Sequence, residues 1–227
     1  KICNLAIGSG AFQLGMLNIL VFIFKTLRKI INKNQISIYR LKKKIIQNNL
    51  YGIDIESSSV EIARFRLWLS LVVEDDSLKK IEPLPNLDYK IIQGDSLEYI
   101  SDNLFNTQFL DELSDLKNVF FSETNSSSKI KLKKKIANIE NDIGIKNNFD
   151  FKLNFSEIFQ NKKNWGFDIF IGNPPYIGVQ GNKEKFRKIS QDKFNPLNNF
   201  HSGKMDYFYF FFHQAIKFAS QFGQIAF

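Results

Sequence analysis

Ten residues constrain this chain more than any others: Phe167–Tyr176, reading Phe-Asp-Ile-Phe-Ile-Gly-Asn-Pro-Pro-Tyr. The first half is β-branched, aromatic or apolar and stops at a glycine, which predicts a buried parallel strand. The second half cannot continue it. Pro174 and Pro175 lack backbone N–H donors and fix φ near about −65°. Each also pushes the residue before it out of the helical region. Asn173 is therefore expected on a rigid turn at the carboxyl end of a strand, with its carboxamide projecting from the sheet rim. In an open α/β sheet ligands bind there.

That geometry suits the holding of a planar exocyclic amine. Such a nitrogen is a poor nucleophile because its lone pair is delocalised into the ring. The Asn173 side-chain oxygen and the Pro174 carbonyl form an acceptor pair for its two N–H groups. Binding there draws the nitrogen toward tetrahedral geometry and aims its lone pair at an electrophile, while Tyr176 stacks on the ring. An isolated Asn-Pro is an ordinary turn. The full Asn-Pro-Pro-Tyr run behind an apolar strand is what raises it to a site.

The rest of the chain reads as strands and helices in alternation. Lys1–Ile7 is a first strand, followed by the glycine turn Gly8-Ser9-Gly10-Ala11-Phe12 and a helix to about Ile31. Such a strand, turn and helix present backbone N–H groups to a polar or anionic ligand. By itself Gly-x-Gly also fits a plain tight turn. A helix over Ile38–Asn48 precedes a second strand, Tyr51–Glu56. An acid at the end of that strand can accept both hydroxyls of a ribose. Asp54 is the first choice and Glu56 the second, since Glu56 also suits the start of the helix Ser59–Val73. Trp68 on that helix is expected in the core.

Residues 78–88 read as loop, with Pro83 and Pro85 as breakers. Tyr89–Gln93 is a third strand, closed by Gly94-Asp95-Ser96. Asp95 can take an amino group of an adenine ring or simply form a turn. Residues 97–165 are polar and lysine-rich, with helical periodicity over 110–121 and 130–143. They are expected to form a solvated helical insertion between the third and fourth strands. Residues 177–200 are loop and short helix lying over the active face. An aromatic helix, Tyr207–Ala219, and a helix end at 221–223 lead to a fifth strand, Gln224–Phe227. The division expected is 1–96 as a cofactor-binding half, 97–165 as the insertion and 166–227 as a catalytic half.

Composition narrows the partners. The 227 residues carry a formal net charge of +8, which favours polyanions, although solvated lysine faces would give the same balance. Cys3 is the single cysteine, so neither a disulfide framework nor a thiolate metal site is expected. His201 and His213 are the only histidines, which argues against a histidine-rich metal site. The apolar run Met16–Phe24 is too short to span a bilayer, and no secretory signal pattern is visible. The expected location is the cytoplasm, without a membrane partner. Because the chain opens and closes inside apparent strands, it reads as a piece of a longer protein, cut at both ends.

Taken in order, these segments resemble the amino-methylating DNA methyltransferases that use S-adenosylmethionine, above all the adenine-N6 methylases of type IIG restriction–modification and phage-defence systems. Asn4-Leu5-Ala6-Ile7-Gly8-Ser9-Gly10-Ala11-Phe12 is similar to the family's Asp-Pro-Ala-Cys-Gly-Ser-Gly-Ala-Phe, with Asn4 in place of aspartate and Leu5 in place of proline. Tyr51–Ile55 with Glu61–Leu71, then Gln93–Ser96, then Asn173–Tyr176, then 202–227, carry the rest of the likeness. The resemblance implies an α/β, Rossmann-like class I methyltransferase core with a mainly parallel sheet. It implies S-adenosylmethionine as cofactor, with Gly8 and Gly10 against the methionine part, Asp54 on the ribose and Asp95 on the adenine amino group. Asn4, Ala6, Ser9, Phe12, Ile55 and Ser96 belong to the same implied site. Asn173, Pro174, Pro175 and Tyr176 would grip an adenine flipped from double-stranded DNA. Target recognition, and any nuclease, would lie in other parts of a longer polypeptide.

Two other readings use the same residues. A protein methyltransferase acting on a glutamine side chain faces the same lone-pair problem at a carboxamide nitrogen and shares Asn-Pro-Pro-Tyr. A degenerate methylase fold, kept for binding or truncated, is consistent with Asn4.

Overall fold

A computed structural model describes residues 1–32, 36–74, 87–99, 106–123, 125–142, 149–160 and 165–227, without the side chains of 106–110 and 126. Among the described residues, five parallel strands form one sheet in the order β3-β2-β1-β4-β5. They are β1 (Ile2–Asn4), β2 (Leu50–Asp54), β3 (Ile91–Gln93), β4 (Phe167–Ile171) and β5 (Ala219–Ala226). The strand order reverses between β1 and β4, so the crevice beyond their carboxyl ends is the switch point where such sheets bind ligands. The α/β class and the parallel sheet agree with the sequence reading.

Strand alternation builds two cores. Ile2, Leu50, Ile91, Ile169 and Ile171 point to one face; Cys3, Tyr51, Ile53, Phe167 and Phe170 point to the other. The first face is covered by α1 (Ala11–Ile30), α2 (Ile38–Asn49) and α3 (Ser57–Val72). Their buried residues recur at helical spacing: Gln13, Leu17 and Val21 on α1, and Val60, Ala63, Leu67 and Leu71 on α3. Trp68 is only partly buried, against Phe65 at a centroid distance of 5.8 Å, and is not among the core residues. At twenty residues α1 outruns the apolar stretch read from sequence and is long and apolar enough to cross a membrane by length and composition. Here Leu17 and Val21 pack it onto the sheet.

The second face is aromatic. Tyr51, Phe155, Phe159, Phe167 and Phe218 meet edge to face at 5.3–5.9 Å, and Phe151 stacks on Phe218 at 4.3 Å. Aromatic pairs favour such geometries. Part of this core comes from α6 (Phe151–Asn154) and α7 (Ser156–Phe159).

The 97–165 region is thus more than a solvated insertion. Its hairpin of α4 (Asn106–Ser122) and α5 (Ser126–Asp142) joins Tyr89 and Leu153 in a third cluster through Leu113, Phe120 and Ile136. Its last turns supply the floor of the sheet's aromatic face. Lys117 of α4 is fully buried, donating to the carbonyls of Leu153 and Asn154 at 2.9 and 2.8 Å. Lysine content alone misreads such a side chain, because its stem buries as readily as an aliphatic one.

Three boundaries differ from expectation. β1 ends at Asn4 rather than Ile7, where Leu5–Ile7 turn away toward the glycine turn. Leu87–Tyr89 is a short 3-10 turn before β3, while the rest of the expected 78–88 loop lies outside the described residues. After α9 (Phe208–Phe218), β5 begins at Ala219, not Gln224. It pairs Ala219 with Phe167, then slips register before pairing Gln224 with Ile169. That irregularity absorbs Gln221–Gly223, which look like a helix end in sequence.

Candidate active site

At the end of β1 the chain is tied down by a buried carboxamide. Asn4 is fully buried; its Oδ1 accepts the Ala6 N–H at 3.0 Å and its Nδ2 faces Gln13 Oε1 at 3.4 Å. Gln13 in turn donates to the Tyr51 carbonyl at 3.0 Å. Asn4 is therefore a strut between β1, α1 and β2 and does not line the cleft. Gly8 and Gly10 both take positive φ, 53° and 76°, which glycine adopts without strain. Their surroundings differ. A Cβ on Gly10 would fall 3.0 Å from the Ala63 Cβ, so Gly10 lets α3 approach, whereas a Cβ on Gly8 would meet nothing within 4 Å.

Asp54 closes β2 and fastens this turn. Its Oδ2 accepts the Gly8 N–H at 2.8 Å and its Oδ1 accepts the Glu56 N–H at 3.0 Å. Ser9 faces away from the cleft: its hydroxyl and carbonyl both accept from Arg66 Nη1 of α3 at 2.9 Å. Arg66 is a support that the sequence reading treats only as a flank of the apolar helix. Phe12 is half-exposed on α1, also outside the cleft.

Beyond β3, Asp95 forms a side-chain turn, its Oδ1 accepting the Leu97 N–H at 3.0 Å. Ser96 is buried, its hydroxyl donating to the Leu5 carbonyl and its own carbonyl accepting from Gln214 of α9, both at 2.8 Å. Gly94 has no room for a side chain, since a Cβ there would sit 2.7 Å from Phe149 Cγ.

Beyond β4, Asn173 is exposed and takes no hydrogen-bond partner among the described residues, while Pro174 is buried and Pro175 exposed. Tyr176 is 66% exposed, one ring face stacked on Phe208 at 5.3 Å. The turn is pinned from behind by Asp206, whose Oδ1 accepts the N–H groups of Ile177 at 3.1 Å and Phe208 at 2.9 Å. Tyr207 N–H adds a bond to the Ile177 carbonyl at 2.8 Å. The only local signal of Asp206 is that it is an acid just before the aromatic helix.

These strand ends surround one cleft of about 560 Å³, a size usual for small-molecule sites. It brings together Ala6, Gly8, Asp54, Ile55, Asp95, Ser96, Asn173 and Pro175 of the expected residues. Asn4, Ser9, Gly10, Phe12, Pro174 and Tyr176 do not line it. Among residues that sequence did not single out, Tyr207 and Phe211 of α9 form a wall, and Lys185 and Lys188 of α8 (Lys183–Ser190) stand at the rim. Burial, and then the nearby Asp95 carboxylate, push the Tyr207 phenol above its ordinary range. Acids thus lie over β2 and β3, the exposed Asn173 carboxamide over β4, and cations opposite. No group of three or more His, Cys, Asp or Glu that could hold a metal ion occurs among the described residues.

Comparison with known proteins gives this arrangement a context. The family model for Eco57I restriction-modification methylases matches residues 48–227, a stretch holding Asp54, Asp95 and Asn173 and leaving the glycine turn outside. A putative type II restriction enzyme and methyltransferase from Methanocaldococcus jannaschii is 41% identical over 108 residues. The matched stretch is 46% of this chain and 9% of that relative's length.

Proposed function

Because the chain belongs to the Eco57I restriction-modification methylase family, we propose that it transfers a methyl group from S-adenosylmethionine to the N6 amino group of adenine in DNA. One observation carries the reading: the exposed Asn173 carboxamide, without a hydrogen-bond partner among the described residues, opens onto the same cleft as Gly8, Asp54 and Asp95.

The residues fit the cofactor. The open space beside Gly8 admits a close ligand, Asp54 and Asp95 are acceptors for hydroxyl and amino groups, and Ile55, 63% exposed at the cleft, offers an apolar edge for a ring. When bound, S-adenosylmethionine supplies an electrophilic methyl carbon. Asn173 Oδ1 and the Pro174 carbonyl accept the two N–H bonds of the target amine and so localise its lone pair. Tyr176, backed by Phe208, presents a ring face for the base. Alkylation makes the nitrogen acidic, so its proton passes to solvent and no strongly basic side chain is required. Reading of the DNA sequence, and any cleavage, we place in other parts of a longer polypeptide, in keeping with a relative far longer than the matched stretch.

The test is labelled methyl transfer by full-length protein to duplex DNA and, in parallel, to a glutamine-bearing protein. Label in DNA as N6-methyladenine, lost in Asn173→Ala while cofactor binding persists, is the expected result. Transfer by Asn173→Ala at the normal rate would remove Asn173 from the reaction. Label appearing only in protein would transfer the same geometry to a carboxamide substrate.

A further inference from the structure

We propose that Lys185 and Lys188 of α8 seat the phosphates of the DNA strand that carries the target base; this rests on the reading of the cleft as a DNA adenine site. Both side chains line the cleft that contains Asn173. Helix α8 is held by Phe186 and Ile189, 2% and 3% exposed, which fixes its opposite face toward solvent and the cleft mouth. On that helix Lys183, Lys185, Arg187 and Lys188 stand against one acid, Glu184.

Both ammonium groups are available. The Lys185 ammonium has no hydrogen bond or ion pair among the described residues. Lys188 reaches Asp95 Oδ2 at 3.4 Å, longer than the about 2.7–2.9 Å of a well-formed charge-assisted bond. An exposed pair of this kind is weakly held. A flipped nucleotide stays tethered to its own phosphates, so they arrive at the mouth of whatever pocket takes the base. Lysines there neutralise them without reading sequence. The alternative ligand is the cofactor's carboxylate. With the methionine part against Gly8 and Gly10, as the family resemblance implies, that group would lie at the glycine turn beyond β1, two strands from β3, where Asp95 and Lys188 meet.

The experiment compares full-length wild type with Lys185→Gln, the Lys185→Gln/Lys188→Gln double variant and the double Lys→Arg variant. Affinity for unmethylated genomic DNA is measured by equilibrium binding, alongside labelled methyl transfer, between about 50 and 200 mM salt, a range over which binding to phosphates weakens steeply. Cofactor binding is measured separately by calorimetry. Removing one lysine–phosphate pairing should reduce the slope of log affinity against log salt by about 0.9. We therefore expect one such step for Lys185→Gln and two for the double glutamine variant, unchanged cofactor affinity, and restoration by arginine. A wild-type slope in the glutamine variants overturns the proposal, as does a loss of cofactor affinity with the slope intact. If wild type methylates no DNA, the reading of the site itself falls; if it does and only the slope is unmoved, the lysine assignment alone falls.

Discussion

The Asn4 carboxamide fills the space that a side chain at residue 172 would need. A Cβ on Gly172 would lie 3.0 Å from Asn4 Cγ and 3.3 Å from Nδ2, and closer still to Oδ1. Asn4 cannot swing aside, because it is fully buried and its oxygen is held by the Ala6 N–H. The end of β1 thereby sets how closely β4 approaches just before the Asn173 turn. Where the sequence suggested a cofactor contact for Asn4, the packing gives it a load between two strand ends.

Gly172→Ala should therefore destabilise the protein by about 1–3 kcal/mol, the usual cost of overpacking, and lower methyl transfer by shifting Asn173. Adding Asn4→Ala should relieve part of the clash, so the double variant should lose less stability than the two single losses combined. Denaturant unfolding of the four proteins measures this. Strict additivity would mean that the two residues do not press on one another.

Asp206 should matter to transfer without touching the cofactor. Asp206→Ala leaves the Ile177 and Phe208 N–H groups without their acceptor and frees the segment behind Tyr176. The expected result is at least a tenfold fall in transfer with cofactor affinity within twofold of wild type; a lost hydrogen bond to a charged group costs about 1.5–3 kcal/mol. Asp206→Asn, which keeps an acceptor oxygen, should recover much of the rate. Equal losses in both variants would point to charge rather than to the two backbone bonds.

Asp54 anchors the glycine turn, and under the proposed function it also faces the cofactor. Its carboxylate holds the Gly8 N–H and the Glu56 N–H on the wall of the cleft. Asp54→Ala should weaken S-adenosylmethionine binding at least tenfold in calorimetry. It should also raise amide hydrogen exchange at Gly8, because the turn loses its anchor. Protection at Gly8 equal to wild type would show that the turn holds itself.

The floor of the sheet should make stability depend on pH. Lys90 is buried and donates to Glu157 Oε1 at 2.9 Å and to the Tyr51 hydroxyl. Burial, only partly offset by Glu157, lowers its ammonium from 10.5 to about 8. Between these values the unfolded chain binds a proton that the folded protein does not. Lys90 should therefore make stability rise with pH from about 8 toward 10.5, by up to about 1.4 kcal/mol per pH unit. Lys90→Met should flatten that rise in unfolding measured across the window. Burial raises the Glu157 carboxyl, but Lys90 and Lys117 outweigh it and hold it below its ordinary range. Its contribution is present above the unfolded carboxyl's range and fades as acid approaches the folded value. Glu157→Gln removes the counter-ion of the buried Lys90 and should cost about 3–5 kcal/mol near neutral pH.

Local sequence determined what local chemistry can determine. Phe167–Ile171 had to be a buried strand, and two prolines had to end it at Asn173. Tyr51–Asp54 and Ile91–Gln93 are strands by the same apolar runs, with acids at or just past their ends. Helices α1 to α3 follow from residues recurring at helical spacing. Tertiary structure decided which side of each residue faces the cleft. Gly8 opens onto it and Gly10, two residues later, receives Ala63; both are glycines in one turn, and only the position of α3 separates them. Asn4 became a strut, Ser9 a ligand of Arg66, and Asp206 the clasp behind the Asn173 turn through bonds spanning 57 and 29 residues. The lysine-rich 97–165 stretch lent Phe149, Phe151, Phe155 and a buried Lys117 to the interior. Periodicity fixes the conformation of a segment because it depends on neighbours a few residues away. Partners are set by contacts between distant segments, and those exist only once the sheet has brought its strand ends together.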